Sequence, residues 1–213
     1  MLNRRTFSSS LVLPALAVGL HQVHAASPAA TVGQAAPDFS ATDALGKNHK
    51  LSDFKGKHVV LEWTNPGCPF VVKHYSADAG GNMQSLQKEF TGKGVVWLSV
   101  NSTSKEAYDY LAPAKLMAWT SEKKASASAV LMDDSGKIGQ LYSAKTTPHM
   151  YIINPQGVLV YAGAIDSVPS ARVEDIKLAT NYIRQGLNET LGGKAISVSS
   201  TRPYGCSVKY KDA

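Results

Sequence analysis

The chain of 213 residues is long enough for one domain with a buried core and too short for two large ones. Hydrophobic residues make up 44% and charged residues 18%, which indicates a globular protein and excludes a disordered or fibrous chain. The formal net charge of +6 is carried by scattered lysines and arginines, so it predicts no nucleic-acid partner. Two cysteines, Cys68 and Cys206, exclude a multi-disulfide scaffold and an all-cysteine zinc site.

Residues 1–25 have the composition of an export signal. The Arg4-Arg5 pair supplies the positive start, residues 11–20 the apolar stretch, and Ala25 the small residue at the predicted cleavage site. An apolar stretch of this length falls short of the roughly 20 residues that span a bilayer, so no permanent membrane anchor is predicted, and an uncleaved anchor is the alternative. The arginine pair resembles a twin-arginine signal. The expected location is therefore a bacterial periplasm, where disulfides persist.

The mature chain divides into three segments. Residues 26–36 contain Ala, Ser and Pro without periodicity and predict a flexible lead-in. Residues 37–191 carry the alternating strand and helix patterns of one domain, and residues 192–213 form a carboxy-terminal tail that carries Cys206. The patterns in the first half predict a hairpin formed by residues 38–42 and 49–51, and a buried strand at 57–63. They also predict two helices, one from Pro69 to the Gly80-Gly81 pair and one at 83–90.

The second half of the domain continues the alternation. Branched apolar runs predict strands at 94–100, 129–132, 147–153 and 157–162, the last two joined by a turn at 154–157. Helical spacing predicts one helix from Ser104 to about Ser121, across Pro113, and a closing helix at 174–191. Strands that alternate with helices and then form a tight hairpin predict an α/β fold, a mixed sheet with helices on both faces.

Cys68 follows a predicted strand and precedes Pro69, a residue suited to the first turn of a helix. Its sulfur is expected near the free amides of that turn, at the positive end of the helix dipole. Lys73 and His74 follow on the same helix, and an electropositive helix start favours the thiolate, which is the nucleophilic form. The alternative is a buried, inert cysteine.

A second feature is Thr147-Pro148 at the start of an apolar strand, where a proline is tolerated. The order of strand, tryptophan, cysteine-bearing helix start, distant Thr-Pro and hairpin resembles the thioredoxin superfamily, and more closely its redoxin and peroxiredoxin-like branch. The opening segment 33–39 and segment 51–57 are similar to the start of the same branch. The resemblance covers residues 32–166 and implies a thioredoxin-like three-layer α/β/α fold with an amino-terminal β-hairpin. It also implies that Pro148 is a cis-proline beside the sulfur of Cys68.

The motif around Cys68 departs from the best-known members of that superfamily. Thioredoxins have Cys-x-x-Cys, whereas Asn65 stands where the first cysteine would be, so a thioredoxin-like dithiol reductase is not expected. Peroxiredoxins have a motif similar to Pro-x-x-x-Thr-x-x-Cys. In this sequence Leu61 stands at the position of the motif's proline and Asn65 at that of its threonine, and the nearest hydroxyl belongs to Thr64. Pro69 does match. Asn65 would either donate a hydrogen bond to a peroxide oxygen or be a turn residue before its proline.

Cys206 lies in the tail sequence Gly-Cys-Ser-Val-Lys-Tyr at 205–210, which resembles the tail motif of a peroxiredoxin-like subfamily. The resemblance implies a resolving thiol that condenses with a sulfenate on Cys68 to form a disulfide. A permanent disulfide that staples the tail is the alternative, because exported domains use disulfides structurally.

The leading functional prediction is an exported peroxiredoxin-like thiol oxidoreductase that reduces hydroperoxides and is restored by an external thiol reductant. It needs no organic cofactor or metal. One alternative is thiol–disulfide exchange with protein partners, and another is a non-catalytic copper-handling module that uses His74 and Met150 with the two cysteines. The predicted site comprises two catalytic cysteines and five residues that shape their surroundings: Cys68 and Cys206, with Thr64, Asn65, Pro69, Thr147 and Pro148.

Overall fold

The computed structural model describes residues 29–211, so the predicted export signal at 1–25 lies outside the described residues. The predicted amino-terminal hairpin is confirmed, because strands β1 (Ser40–Thr42) and β2 (Asn48–Lys50) pair antiparallel. A short 3-10 helix, Leu51–Phe54, leads from this hairpin toward the central sheet.

Five strands form the central sheet: β3 (Val59–Trp63), β4 (Val96–Asn101), β5 (Ala129–Met132), β7 (His149–Ile153) and β8 (Leu159–Gly163). Their order is β5-β4-β3-β7-β8. Strand β4 is parallel to β3 and β5, whereas β7 is antiparallel to β3 and β8. Every residue of β3, β4 and β7 is buried, because other layers cover both faces of the sheet. The predicted mixed sheet is therefore confirmed.

The helices form the outer layers: α1 (Pro69–Tyr75), α2 (Asn82–Gly92), α3 (Pro113–Glu122), α4 (Lys137–Leu141) and α5 (Tyr182–Leu191). Apolar residues of α1, α2 and α5 share one core with alternate residues of the sheet, including Val60 and Ile152. The intervening sheet residues, Leu61 and Tyr151 among them, face a second core with α4 and the hairpin. This alternation follows from the period of two along a strand and gives the expected three layers.

The predicted helix from Ser104 across Pro113 is wrong in its first half. Helix α3 begins at Pro113, and the preceding Ala112 is extended, with φ −60° and ψ 154°. A proline inside a helix removes a hydrogen bond and clashes with the preceding turn, whereas the first helical position tolerates it. Residues 104–112 therefore form a loop instead of a helix.

The predicted closing helix at 174–191 also starts later. Val173–Lys177 is a 3-10 helix, and α5 begins only at Tyr182. Asn181 is extended and its side chain accepts the N–H of Arg184, so it is the N-cap that fixes the start of the helix. The predicted strand at 147–153 is likewise divided, because Pro148 separates β6 (Thr146–Thr147) from β7.

Both ends of the described chain pack on the domain. In residues 29–36, the described part of the predicted lead-in at 26–36, the N–H of Ala30 donates to the carbonyl of Leu141 and that of Gly33 to the carbonyl of Leu159. In the tail, strand β9 (Cys206–Ser207) pairs antiparallel with β6. The segment before residue 37 thus contacts the domain, and the tail returns to the sheet end where Cys68 lies.

Candidate active site

Cys68 occupies the predicted junction of strand and helix. It is the N-cap of α1, and its carbonyl accepts the N–H groups of Val71 and Val72 at 2.9 Å. Its side chain makes no capping hydrogen bond to the helix. Instead the thiol donates to the carbonyl oxygen of Thr147 at 3.0 Å and is only 1% exposed. The sulfur thus contacts a carbonyl oxygen from a segment that is distant in sequence.

The peptide bond between Thr147 and Pro148 is cis, and both residues are buried. Because the Thr147 carbonyl accepts the thiol of Cys68, Pro148 follows directly after the group that contacts the sulfur. The expectation drawn from the family resemblance, a cis-proline beside the cysteine, is confirmed.

Cys206 meets Cys68 within one chain. In the β6–β9 pair it stands opposite Thr147, the residue whose carbonyl contacts Cys68. Burial, together with the neighbouring Cys68 thiol, raises the pKa of the Cys206 thiol to about 12. Cys206 is partly exposed, and both cysteines are reduced. The tail therefore presents a protonated second thiol to the sulfur of Cys68.

The side chain of Asn65 is not free to donate a hydrogen bond to a peroxide oxygen. Its Nδ2 donates to Thr103 Oγ1 at 3.1 Å and to Asp109 Oδ2 at 3.0 Å, which engages both of its protons. Its Oδ1 accepts the N–H of Gly67 at 2.8 Å, an arrangement typical of an Asn-started turn. The structure thus supports the turn interpretation of Asn65. Within residues 29–211, the buried hydroxyls of Thr64 and Thr147 have no hydrogen-bond partner.

A buried polar cluster lies on the other side of the tail, around Asp166. Tyr204 donates its hydroxyl to Asp166, and Lys73 Nζ lies 3.6 Å from the same carboxylate. His74 is also buried there, and burial, with the nearby Lys73 charge, lowers its pKa to about 3, so it is neutral. Lys73 and His74, which were expected beside the sulfur, instead surround the carboxylate that anchors Tyr204. A pocket of about 510 Å³ opens next to Asp166, Tyr204 and Gly205.

The structure gives no support to the copper-handling alternative. His74 Nδ1 accepts from Asn82 Nδ2 at 2.8 Å, so that nitrogen is already in use. Across the described part of the chain, no three His, Cys, Asp or Glu side chains are grouped to hold a metal ion.

Sequence reasoning missed three groups at this site, namely Asp109, Asp166 and the ammonium of Lys209. Asp109 accepts from Lys209 Nζ at 2.7 Å as well as from Asn65. Asp109 lies in the segment that helical spacing had assigned to a helix. Pro113 was the available signal, because a helix that starts at this proline leaves 104–112 free to form a loop over the site.

A mixed sheet between helical layers, with a cysteine at a helix start and a cis-proline beside it, defines a thioredoxin-fold protein. The family model described as the AhpC/TSA family matches residues 32–162, and the chain belongs to this family. The protein is a thiol-dependent oxidoreductase of the redoxin type.

Curated relatives agree with this class, and solved structures share the fold. The thioredoxin-like protein YneN of Bacillus subtilis (strain 168) is 33% identical over 135 residues, which cover 60% of this chain and 68% of that protein. The thiol-disulfide oxidoreductase ResA of the same organism is 26% identical over 163 residues, covering 74% and 83%. An uncharacterized conserved protein from Geobacillus kaustophilus has a TM-score of 0.69 at 26% identity, covering 86% of this chain and 94% of that one.

A hypothetical protein from Sinorhizobium meliloti 1021 has the same fold, with a TM-score of 0.70 at 23% identity, covering 86% of this chain and 96% of its own. Among the residues that the structure describes, no helix is long and apolar enough to cross a membrane.

Proposed function

We propose that this protein is a thiol–disulfide oxidoreductase that exchanges electrons with a disulfide of a partner protein through Cys68 and Cys206. The observation that carries the proposal is the contact between the two thiols inside one chain, opposite Thr147. A second thiol within reach allows each exchange to finish without another molecule. The similarity to the thiol-disulfide oxidoreductase ResA supports the same chemistry.

The reaction proceeds in two exchanges. The Cys68 thiolate attacks one sulfur of the partner disulfide, forms a mixed disulfide and releases the other partner sulfur as a thiolate. Cys206 then loses its proton and attacks the sulfur of Cys68, which releases the second partner thiol. Two electrons pass to the partner, and the chain is left with a Cys68–Cys206 disulfide, which an external thiol reductant reduces to regenerate the two thiols. The same steps in reverse oxidise a partner dithiol.

The environments of the two cysteines divide these roles. Cys68 starts a helix, where the dipole favours negative charge, and it is the proposed nucleophile. Cys206 has a raised pKa and stays protonated at neutral pH, which suits the second thiol. Cys68 is 1% exposed beneath the tail, so the partner reaches it when the two-residue strand β9 lifts from β6. Thr64, Pro69, Thr147 and Pro148 are proposed to shape the surroundings of the sulfur.

The test uses the reduced protein and a peptide with one intramolecular disulfide. We expect the wild type to reduce the peptide and to finish with its own two cysteines joined, as read by intact-mass spectrometry. Cys206→Ser should accumulate a mixed disulfide at Cys68. With Cys68→Ser, the peptide disulfide should be reduced no faster than by the buffer thiols alone. Ser207→Ala is the matched control and should behave like the wild type. Equal rates for the wild type and Cys68→Ser would refute the proposal.

Hydroperoxide reduction is the second candidate function, favoured by the AhpC/TSA family match and by the free buried hydroxyls of Thr64 and Thr147. Hydroxyls are groups that donate to a peroxide oxygen. Cys68 would attack the terminal oxygen, release an alcohol or water and become a sulfenic acid, and Cys206 would displace water to form the disulfide. Stopped-flow measurement of peroxide consumption tests it. A rate no better than that of a free thiol of low pKa would dismiss this activity and leave disulfide exchange.

We also propose that the chain is exported to the periplasm, because residues 1–25 have an export-signal pattern and the thiol pair suits a compartment where disulfides persist. Expression of the full chain, cell fractionation and amino-terminal mass analysis test this proposal. We expect a periplasmic protein that begins at Ala26. The doubly substituted Arg4→Lys, Arg5→Lys protein should remain in the cytoplasm if the twin-arginine route is used, and unprocessed wild type in the cytoplasm would contradict export.

A further inference from the structure

One carboxylate is bonded to both cysteine-bearing segments. Asp109 Oδ2 accepts from Asn65 Nδ2 at 3.0 Å and from Lys209 Nζ at 2.7 Å. Asn65 precedes Cys68 by three residues, and Lys209 follows Cys206 by three. Through Asp109, the turn that positions one sulfur is tied to the tail that positions the other.

Further contacts join the Asp109 loop to the tail and to the turn. The N–H of Ser104 donates to the carbonyl of Lys209 at 2.8 Å, and the Lys209 ammonium lies 5.1 Å from the centre of the Tyr108 ring. On the other side, a side chain added at Gly67 would touch Asp109 at 3.3 Å, so the loop and the turn are in close contact. Asp109 is about nine-tenths buried and Lys209 about three-quarters buried, so water weakens this ion pair less than an exposed one.

Both donors converge on the same oxygen. Asp109 Oδ1 is buried and has no hydrogen-bond partner within residues 29–211, so both bonds pass through Oδ2. A shift of the Asn65 turn therefore alters the acceptor of Lys209, and release of Lys209 alters the acceptor of Asn65. A single shared acceptor is the arrangement expected of two coupled segments.

We propose that Asp109 is a positioning residue that couples docking of the tail to the conformation of the Cys68 turn and so speeds the closing of the Cys68–Cys206 disulfide. The inference rests on the proposed function, because it concerns the second exchange of that reaction. Holding two reacting groups in place turns an encounter into an intramolecular step, and small displacements slow such steps greatly.

An aromatic disulfide, 5,5′-dithiobis(2-nitrobenzoate), separates the two exchanges. Cys68 attacks it and releases one coloured thiolate at a rate proportional to reagent concentration. Cys206 then attacks the resulting mixed disulfide and releases the second thiolate at a rate independent of reagent concentration. We expect Asp109→Asn to slow the second phase by about tenfold or more, without slowing the first. The final mass should shift from the internal disulfide of the wild type toward a protein with two reagent adducts.

Asp134→Asn is the matched control, because Asp134 pairs with Lys105 of the same loop and with neither cysteine segment among the contacts of residues 29–211. It should leave both phases unchanged. Lys209→Met should slow the second phase like Asp109→Asn, and Lys209→Arg should retain the wild-type rate because the ion pair survives. The double variant with Asp109→Asn and Lys209→Met should be no slower than the slower single variant, since both remove the same link.

Several results would overturn the inference. An unchanged second phase in Asp109→Asn would do so. So would a double variant whose second phase is slowed by the product of the two single-variant factors. If Asp109→Asn slowed both phases and lost the wild-type circular dichroism spectrum, its effect would be due to misfolding. The comparison of Lys209→Met with Lys209→Arg would then test the inference. Failure of the proposed function looks different, because the wild type itself would then form no internal disulfide.

Discussion

Gly205 allows the tail to lie against Thr147. Its φ is +136°, a conformation that residues with a side chain rarely adopt, and an added Cβ would collide with the Thr147 carbonyl oxygen. The neighbouring Cys206 depends on this close approach, since it pairs with Thr147 and contacts Cys68. At the scale of single residues, the contact between the two sulfurs therefore depends on glycine at position 205.

Replacement of Gly205 by alanine should lift the tail and leave the sheet intact. We expect Gly205→Ala to close the Cys68–Cys206 disulfide more slowly and to expose Cys68 to alkylation by iodoacetamide, measured by peptide mass spectrometry. Gly193→Ala is the control, because φ there is +73° but no atom lies within 4 Å of the added Cβ. That change should cost about 1–2 kcal/mol of backbone strain without altering Cys68. Equal alkylation of Cys68 in both variants would contradict the prediction.

Glu62 gives a pH-dependent prediction at the same scale. It is fully buried in β3 and accepts hydrogen bonds from four side chains, those of Tyr75, Gln87, Trp97 and Ser99. Burial raises the pKa of Glu62 above its ordinary value of 4.5, and the hydrogen bonds only partly offset this effect. The folded protein thus holds this proton more tightly than the unfolded chain, so stability is lost as pH rises from about 4.5 through the raised pKa.

Glu62→Gln removes this titration. We expect the difference in unfolding free energy, wild type minus Glu62→Gln, to fall as pH rises above about 4.5, as measured by urea denaturation between acidic and neutral pH. Glu122→Gln is the control, because Glu122 is 69% exposed, and its difference from wild type should stay nearly constant. A constant difference for Glu62→Gln as well would show that burial does not govern this carboxylate.

At the scale of elements, the start of α5 is set by one side chain. Asn181 Oδ1 accepts the N–H of Arg184 at 2.9 Å and satisfies an amide that has no partner within the helix. The helix packs Ile183 and Leu187 into the core beside the sheet.

Asn181→Ala should lower the free energy of unfolding by about 1 kcal/mol, as measured by urea denaturation. Asn188→Ala tests the same substitution at an exposed position within the same helix, where alanine is the better helix former. It should be neutral or slightly stabilising. Equal losses at both positions would mean that the cap contributes nothing.

At the scale of the whole molecule, the tail closes the active site from both sides of Cys206. Tyr204 is anchored at Asp166 on one side, and Lys209 at Asp109 on the other. These contacts involve neither sulfur, so we expect them to hold the tail in both redox states. A redox pair requires this property, because the fold must persist in both states.

The Cys68–Cys206 disulfide closes a loop of roughly 138 residues, nominally worth ~5 kcal/mol by the chain-entropy model. We expect the oxidised protein to resist urea more strongly than the reduced protein, by at most this amount, while the reduced protein stays folded. Cys206→Ser should show no such dependence on oxidation. A reduced protein that unfolds in buffer would identify the disulfide as a structural staple and would oppose a redox role.

The sequence alone determined the features that depend on near neighbours. The branched apolar run before Cys68 predicts β3, Pro69 predicts the start of α1, and Pro148 limits the strand in which it lies, because pattern and turn chemistry act over a few residues. The family resemblance added the cis-proline and the pairing of the two cysteines in one site. Localisation and catalytic roles remain predictions at this level.

Only the tertiary structure decided which polar groups surround the two sulfurs. Asp109 and Lys209 are 100 residues apart, and no local pattern records that their side chains meet. The engagement of Asn65 by Asp109 depends on the loop at 104–112, whose helical spacing suggested a helix until Pro113 set the boundary. The physical reason is that such contacts depend on how distant segments pack, whereas spacing along the chain reports only which face of an element is apolar.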